Sequence, residues 1–123
     1  MKKRFLITLI AATAVLTLSA DAPSLTGKWN IHTSIAGNDS DMNCSFEQKD
    51  MTLTGKCQGQ QGEVIIAGKI DGNKVSFSYK GDYQGTPLTV AYEGTYDPAI
   101  GIKGAVGVPE FSVDGDFYAT LAK

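Results

Sequence analysis

The 123 residues carry a formal charge of −2, with 20% charged and 42% hydrophobic side chains. The lack of a basic surplus leaves no electrostatic footprint for nucleic acid or an anionic membrane. One histidine and two cysteines are little material for a metal centre.

The chain opens on the basic stretch Met1-Lys2-Lys3-Arg4, then an apolar run over 5–18, then the small residues Ser19, Ala20, Asp21 and Ala22. This is the layout of a signal peptide, 1–20, too short for a comfortable membrane span. Cleavage is expected after Ala20, because a cut after Ala22 would be followed by Pro23. No cysteine lies near the cut, so a lipoprotein anchor is not available. Removing Lys2, Lys3 and Arg4 takes the charge from −2 to −5. The remainder, 21–123, is expected to be one domain, exported to the periplasm or the exterior, with no membrane insertion after processing.

Beyond the signal, apolar residues alternate with period two and turn residues recur about every ten positions, the signature of an all-β sandwich or barrel. Eight strands are predicted, over 25–36, 42–49, 51–58, 63–70, 74–80, 86–96, 100–107 and 111–122. The intervening segments are short and polar: Gly37-Asn38-Asp39-Ser40, Gly59-Gln60-Gln61-Gly62, Asp71-Gly72-Asn73-Lys74, Asp97-Pro98-Ala99 and Val108-Pro109-Glu110. Short connections imply an antiparallel meander. One strand face carries Trp29, Ile31, Phe46, Leu53, Phe77, Tyr92, Phe117 and Leu121 among others, while the opposite face is charged or polar. A meander that is apolar on one face hides that face by closing, which also removes its edges. The expected fold is therefore all-β: a single antiparallel up-and-down eight-stranded β-barrel.

A five-residue unit, apolar-x-Gly-x-large, recurs along the strands. It begins as Leu25-Thr26-Gly27-Lys28-Trp29 and returns around Gly55, Gly68, Gly94, Gly104 and Gly115. Residues two apart share a face, so each of these glycines points inward with its large neighbour. A hairpin turning at Asp50-Met51 pairs positions that sum to 101 and sets Gly55 against Phe46. A hairpin turning at Gly72-Asn73 sets Gly68 against Phe77. A three-residue turn further on would set Gly94 against Ile102 and Tyr92 against Gly104. An inward glycine beneath a ring permits sharp bending and helps to fill a narrow interior.

The first hairpin also sets Cys44 opposite Cys57 on one face. Cross-strand Cβ atoms lie slightly beyond relaxed disulfide distance, so a small local adjustment is required. The expected disulfide would stabilise by about 3 kcal/mol. A redox pair is the alternative, and without a nearby histidine a metal pair is poor.

Leu25 to Trp29, on the first strand of a secreted meander, resembles the calycin superfamily, whose lipocalins and fatty-acid-binding relatives carry Gly-x-Trp at this place. Ser24 to Trp29 also reads like the opening of avidins. That resemblance would imply biotin binding, but Trp29 is the sole tryptophan and Asn30 follows it by one position rather than two. The chain is similar, too, to bacterial barrel inhibitors of secreted metalloproteases, in which a short N-terminal tail enters the protease. Gly68 to Ser78, Tyr92 to Thr95 and Gly115 to Ala119 resemble uncharacterised exported bacterial domains, which implies no activity.

The search for chemistry is mostly negative. His32 is placed outward beside Asn30 and Ser34, with no sign of a pocketed nucleophile. Asp114 and Asp116 face solvent, and Asp39-Ser40-Asp41 offers at most weak calcium binding. No catalytic residue, metal or cofactor is expected, and the protein is not expected to be an enzyme. The polar candidates on the inward face are Thr33, Gln48, Tyr79, Tyr92 and Tyr96. Trp29, Tyr79, Tyr92 and Phe117 are the candidate ligand-binding residues, as the wall of a small apolar pocket; the alternative makes them the packed core. The expected function is a binding module for a small apolar ligand at the barrel mouth. The alternative is a protein-interaction or secreted-protease inhibitor domain acting through the N terminus or the 83–87 loop.

Overall fold

The period-two alternation folds into eight antiparallel strands: β1 (Gly27–Ile35), β2 (Asn38–Lys49), β3 (Thr52–Gly59), β4 (Gly62–Asp71), β5 (Lys74–Tyr83), β6 (Thr86–Asp97), β7 (Gly101–Val108) and β8 (Val113–Leu121). The structure, a computed structural model, describes residues 24–60 and 62–122. The expected signal peptide, 1–20, and its cleavage site lie outside the described residues. Each strand pairs with its sequence neighbour, and β1 pairs with β8 to close the barrel. The fold is the expected all-β, up-and-down, eight-stranded barrel. One turn of 3-10 helix, Pro109–Phe111, links β7 to β8.

The hairpin registers follow the sequence in two places. Gly55 lies opposite Phe46 and Gly68 opposite Phe77. Cys44 lies opposite Cys57 and is joined to it, with the strands drawn in to a Cα–Cα distance of 4.0 Å. Both cysteines are buried.

Other expectations are corrected. β2 starts at Asn38, not 42, because Ala36 and Gly37 make a two-residue turn with φ of 51° and 82°. Both central residues are left-handed, the twist that suits a tight hairpin. The polar stretch 38–41 is therefore strand with exposed side chains, not loop. β5 likewise continues to Tyr83, where Gln84 and Gly85 turn with φ of 53° and 86°. The β6–β7 register is displaced by two from that expected: Gly94 faces Gly104, Tyr92 faces Val106 and Tyr96 faces Ile102. Its loop falls one residue later, where the Asp97 carboxylate accepts from the Ala99 N–H at 2.8 Å and the Asp97 carbonyl from the Ile100 N–H at 3.0 Å. Leu121, placed inside by alternation, is 57% exposed. Leu25 and Trp29 already fill the interior at that end.

The connections β1–β2, β3–β4, β5–β6 and β7–β8 share one end of the barrel, here the upper end. The N-terminal segment closes the lower end. Leu25 is buried there; its N–H donates to Gln48 Oε1 at 2.8 Å and its carbonyl accepts from Trp29 Nε1 at 2.8 Å. Tryptophan buried in a core needs such a partner for its N–H, and the strand-opening leucine supplies it.

Candidate functional site

Three of the four candidate ligand residues meet inside the barrel. Trp29, Tyr92 and Phe117 are 1–3% exposed. Phe77 joins them: its ring stacks on Tyr92 at 4.6 Å and meets Phe46 at 5.5 Å and Phe117 at 6.0 Å. Trp29 extends the series through Phe46 at 5.9 Å, and Phe117 meets Tyr92 edge-on at 5.0 Å. These are the separations of touching aromatic rings. Phe117 also covers the glycine pair on β6 and β7, with its Cζ 3.0 Å from where a Gly94 Cβ would stand. The middle of the barrel is thus occupied by its own rings.

Tyr79, the fourth, is half-buried nearer the upper end, its ring centroid 6.3 Å from that of Tyr92. Beside it Met42, Val64, Gly59 and Gln60 line a cleft of about 120 Å³. Among the described residues, Thr33 is the buried polar side chain of the core. Burial pushes the Tyr92 hydroxyl above its ordinary pKa, the Tyr79 phenol adds to this, and contact with Thr33 opposes it. Burial raises Tyr79 as well, against an opposing contact with Tyr92. Both phenols therefore stay protonated at neutral pH.

A second feature at the upper end was only partly anticipated. The β5–β6 ladder is ten pairs long, from Lys74 with Thr95 to Tyr83 with Thr86. The β4–β5 ladder stops at Ala67 with Ser78, and the β6–β7 ladder at Ala91 with Gly107. The hairpin beyond those points stands free of its neighbours' ladders. Its tip is hydrogen-bonded within itself: Asp82 Oδ1 accepts from the Gly85 N–H at 2.7 Å. Glu110, on the 3-10 turn, accepts from the Thr89 N–H at 2.9 Å and from its hydroxyl at 2.8 Å. The Thr89 N–H, then the Glu110 N–H and the Thr89 hydroxyl, hold the Glu110 carboxyl below the usual carboxylate range, with Lys80 adding to the effect. The same turn brings the Phe111 ring edge-on to Tyr83 at 5.9 Å, yet these rings stay 41% and 51% exposed. Sequence reading named the 83–87 segment but missed Phe111 and Glu110, whose places depend on the 3-10 turn folding back.

His32 does have a partner. Its Nδ1 lies 2.7 Å from Asp41 Oδ1, and Tyr118 from β8 packs on its ring at 5.1 Å. A second strand starting at 42 leaves Asp41 without a place opposite His32, whereas β2 from Asn38 pairs the two directly. The pair sits on the outer face; among the described residues no hydroxyl is hydrogen-bonded to the ring, and no three His, Cys, Asp or Glu side chains gather as a metal site.

Fold and site together define a small disulfide-stapled barrel with an aromatic interior and an aromatic pair displayed at one rim. No protein-family model, curated protein or solved structure matches the chain.

Proposed function

We propose that this is an exported, non-catalytic binding module of calycin-like type that contacts a partner protein through the tip of the β5–β6 hairpin. The observation that carries this is the contrast between the two aromatic groups. One fills the interior, and the other, Tyr83 with Phe111, is displayed on a hydrogen-bonded hairpin tip. Tyrosine and phenylalanine held ready at a surface bind with little entropy left to lose. The disulfide supports export, since such bonds persist in oxidising compartments. The N-terminal version of an inhibitor is less well supported, because burial of Leu25 holds the tail's root against the barrel's lower end.

A second reading, a small apolar ligand at the barrel mouth, draws support from the cleft beside Tyr79. At about 120 Å³, that cleft is below the roughly 300 Å³ at which ligand pockets usually begin.

The test uses the processed chain and a Tyr83→Ser, Phe111→Ser double variant as baits in the oxidising compartment's extract. A partner enriched on the wild type and reduced about tenfold or more on the variant is expected, since aromatic anchors often exceed 1 kcal/mol each. Equal recovery on both baits overturns the hairpin reading. Native mass spectrometry of the purified chain decides the second reading: a retained apolar ligand supports it, and a bare mass removes it.

A further inference from the structure

β5 leaves part of one edge without a strand beside it. If the β4–β5 ladder continued, Ile65 would pair with Lys80 and Glu63 with Asp82, but it stops at Ala67 with Ser78. The inward glycines of the complete ladders, such as Gly68 and Gly104, have cross-strand backbone where a Cβ would stand. At Gly81 that position meets side-chain atoms of Leu88 and Tyr79 alone, and at Gly62 it meets nothing within 4 Å.

Hydrogen-bond parity says which groups face this flank. The Thr89 N–H points away from β5, because Glu110 takes it. Thr89 lies opposite Lys80, so this is a pair whose backbone groups both turn outward. The N–H and C=O of Lys80, and by the same alternation those of Asp82, therefore face the open flank. The far edge of the hairpin is managed differently: Glu110 occupies the Thr89 N–H, and Pro87 has none to offer.

We propose that this edge pairs antiparallel with the same edge of a second copy, about a two-fold axis at Gly81. The segment reads Tyr79-Lys80-Gly81-Asp82-Tyr83. Pairing about Gly81 sets Lys80 opposite Asp82 of the other copy, and Asp82 opposite its Lys80. Both pairs are of the hydrogen-bonded kind, so the free N–H and C=O groups find partners where the charges match. Tyr79 then faces Tyr83 across the axis, and the two Gly81 residues meet at the close, non-hydrogen-bonded spacing of about 4.5 Å. The neighbouring registers of the same parity place Lys80 against Lys80 or Asp82 against Asp82, and like charges directly opposite oppose pairing. Charge thus selects one register. Both side chains are exposed, and each keeps capacity beyond its present contact, Lys80 with Thr89 and Asp82 with Gly85.

This inference rests on the reading of the hairpin as a contact surface and names a second copy as its partner. The test follows the processed chain by sedimentation. Lys80→Asp and Asp82→Lys should each weaken self-association by about tenfold or more, since each sets like charges opposite. An equimolar mixture of the two should regain it as a heterodimer, because the mixed pairs are again opposite in sign. Asp82→Lys also removes the cap on Gly85, so Gly81→Cys supplies an independent check without touching either charge. It should form a disulfide-linked dimer, while Tyr118→Cys on the β8 outer face should not. A wild type that stays monomeric, a mixture with no heterodimer, or Gly81→Cys failing to cross-link overturns the pairing. If Tyr83-dependent partner capture persists in that case, the contact-surface reading stands without it; if capture is absent too, both fall.

Discussion

The closed sheet places a severe demand on Gly104. It faces Gly94 on β6 and Phe117 on β8. A methyl group added here would press into the Glu93 carbonyl oxygen and the Gly94 Cα. Both are backbone atoms of a paired strand, so no rotamer change relieves the contact. Overpacking of this kind costs about 2–3 kcal/mol, the upper part of the usual range. Restricting the unfolded chain returns about 0.5–1 kcal/mol. The net loss for Gly104→Ala is then about 1–2.5 kcal/mol, or a fall in Tm of roughly 4–20 °C for a domain this size. Gly107→Ala is the control. Its methyl would meet the Val113 carbonyl oxygen at 3.5 Å and Asp114 Cβ at 3.7 Å, ordinary contact distances. It should be neutral or stabilising by up to about 1 kcal/mol. Thermal and urea unfolding of the two variants beside the wild type make the comparison. Equal stability of Gly104→Ala and wild type, or equal losses at both glycines, would refute the account of inward glycines as places where strands close over bare backbone.

Two further predictions concern the staple and the hairpin rim. Replacing Cys44 and Cys57 by alanine opens a link spanning 13 residues, which should cost about 3 kcal/mol by chain entropy; unchanged urea midpoints with and without the bond would contradict this. Glu110 has a lowered folded pKa, so its stabilising contribution is present above the ordinary glutamate value of about 4.3 and disappears as pH falls through the folded one. The Thr89 amide should therefore keep its protection factor near neutrality, lose it on acidification, and lack it at all pH values in Glu110→Ala, as followed by hydrogen exchange. Protection that ignores both pH and the substitution would show that the carboxylate does not hold this edge.

Barrel closure was legible because it depends on alternation, which each strand carries locally. The register of a two-residue hairpin was legible too, since Asp50-Met51 and Gly72-Asn73 fix the pairs around Cys44 with Cys57 and Gly68 with Phe77. Where the turn was less definite, reading failed by a small step with a large effect. Moving the β6–β7 loop one residue along sets Gly94 against Gly104, so the ring over Gly104 comes from Phe117 on β8 instead of from Tyr92 on β6. Leu121 shows the other limit: alternation gives the face of the sheet, not whether the barrel still has interior to offer at that height.

The upper rim was harder to read for a different reason. A strand's composition shows which side chains face in or out, but says little about whether a neighbour accompanies it to its end. Residues 79–83 alternate as a barrel strand should, with Tyr79 half-buried and Lys80 exposed. Nothing in that pattern reveals that β4 ceases to pair at Ser78. The protected edge of β6 depends in turn on Glu110, a residue 21 positions from the amide it binds. Edge exposure is thus a property of three strands and a turn taken together. The charge order Lys80-Gly81-Asp82 has no special meaning in a fully paired strand. It acquires one only when the flank beside it is open, because backbone groups facing outward then need partners and the flanking charges decide which register can supply them.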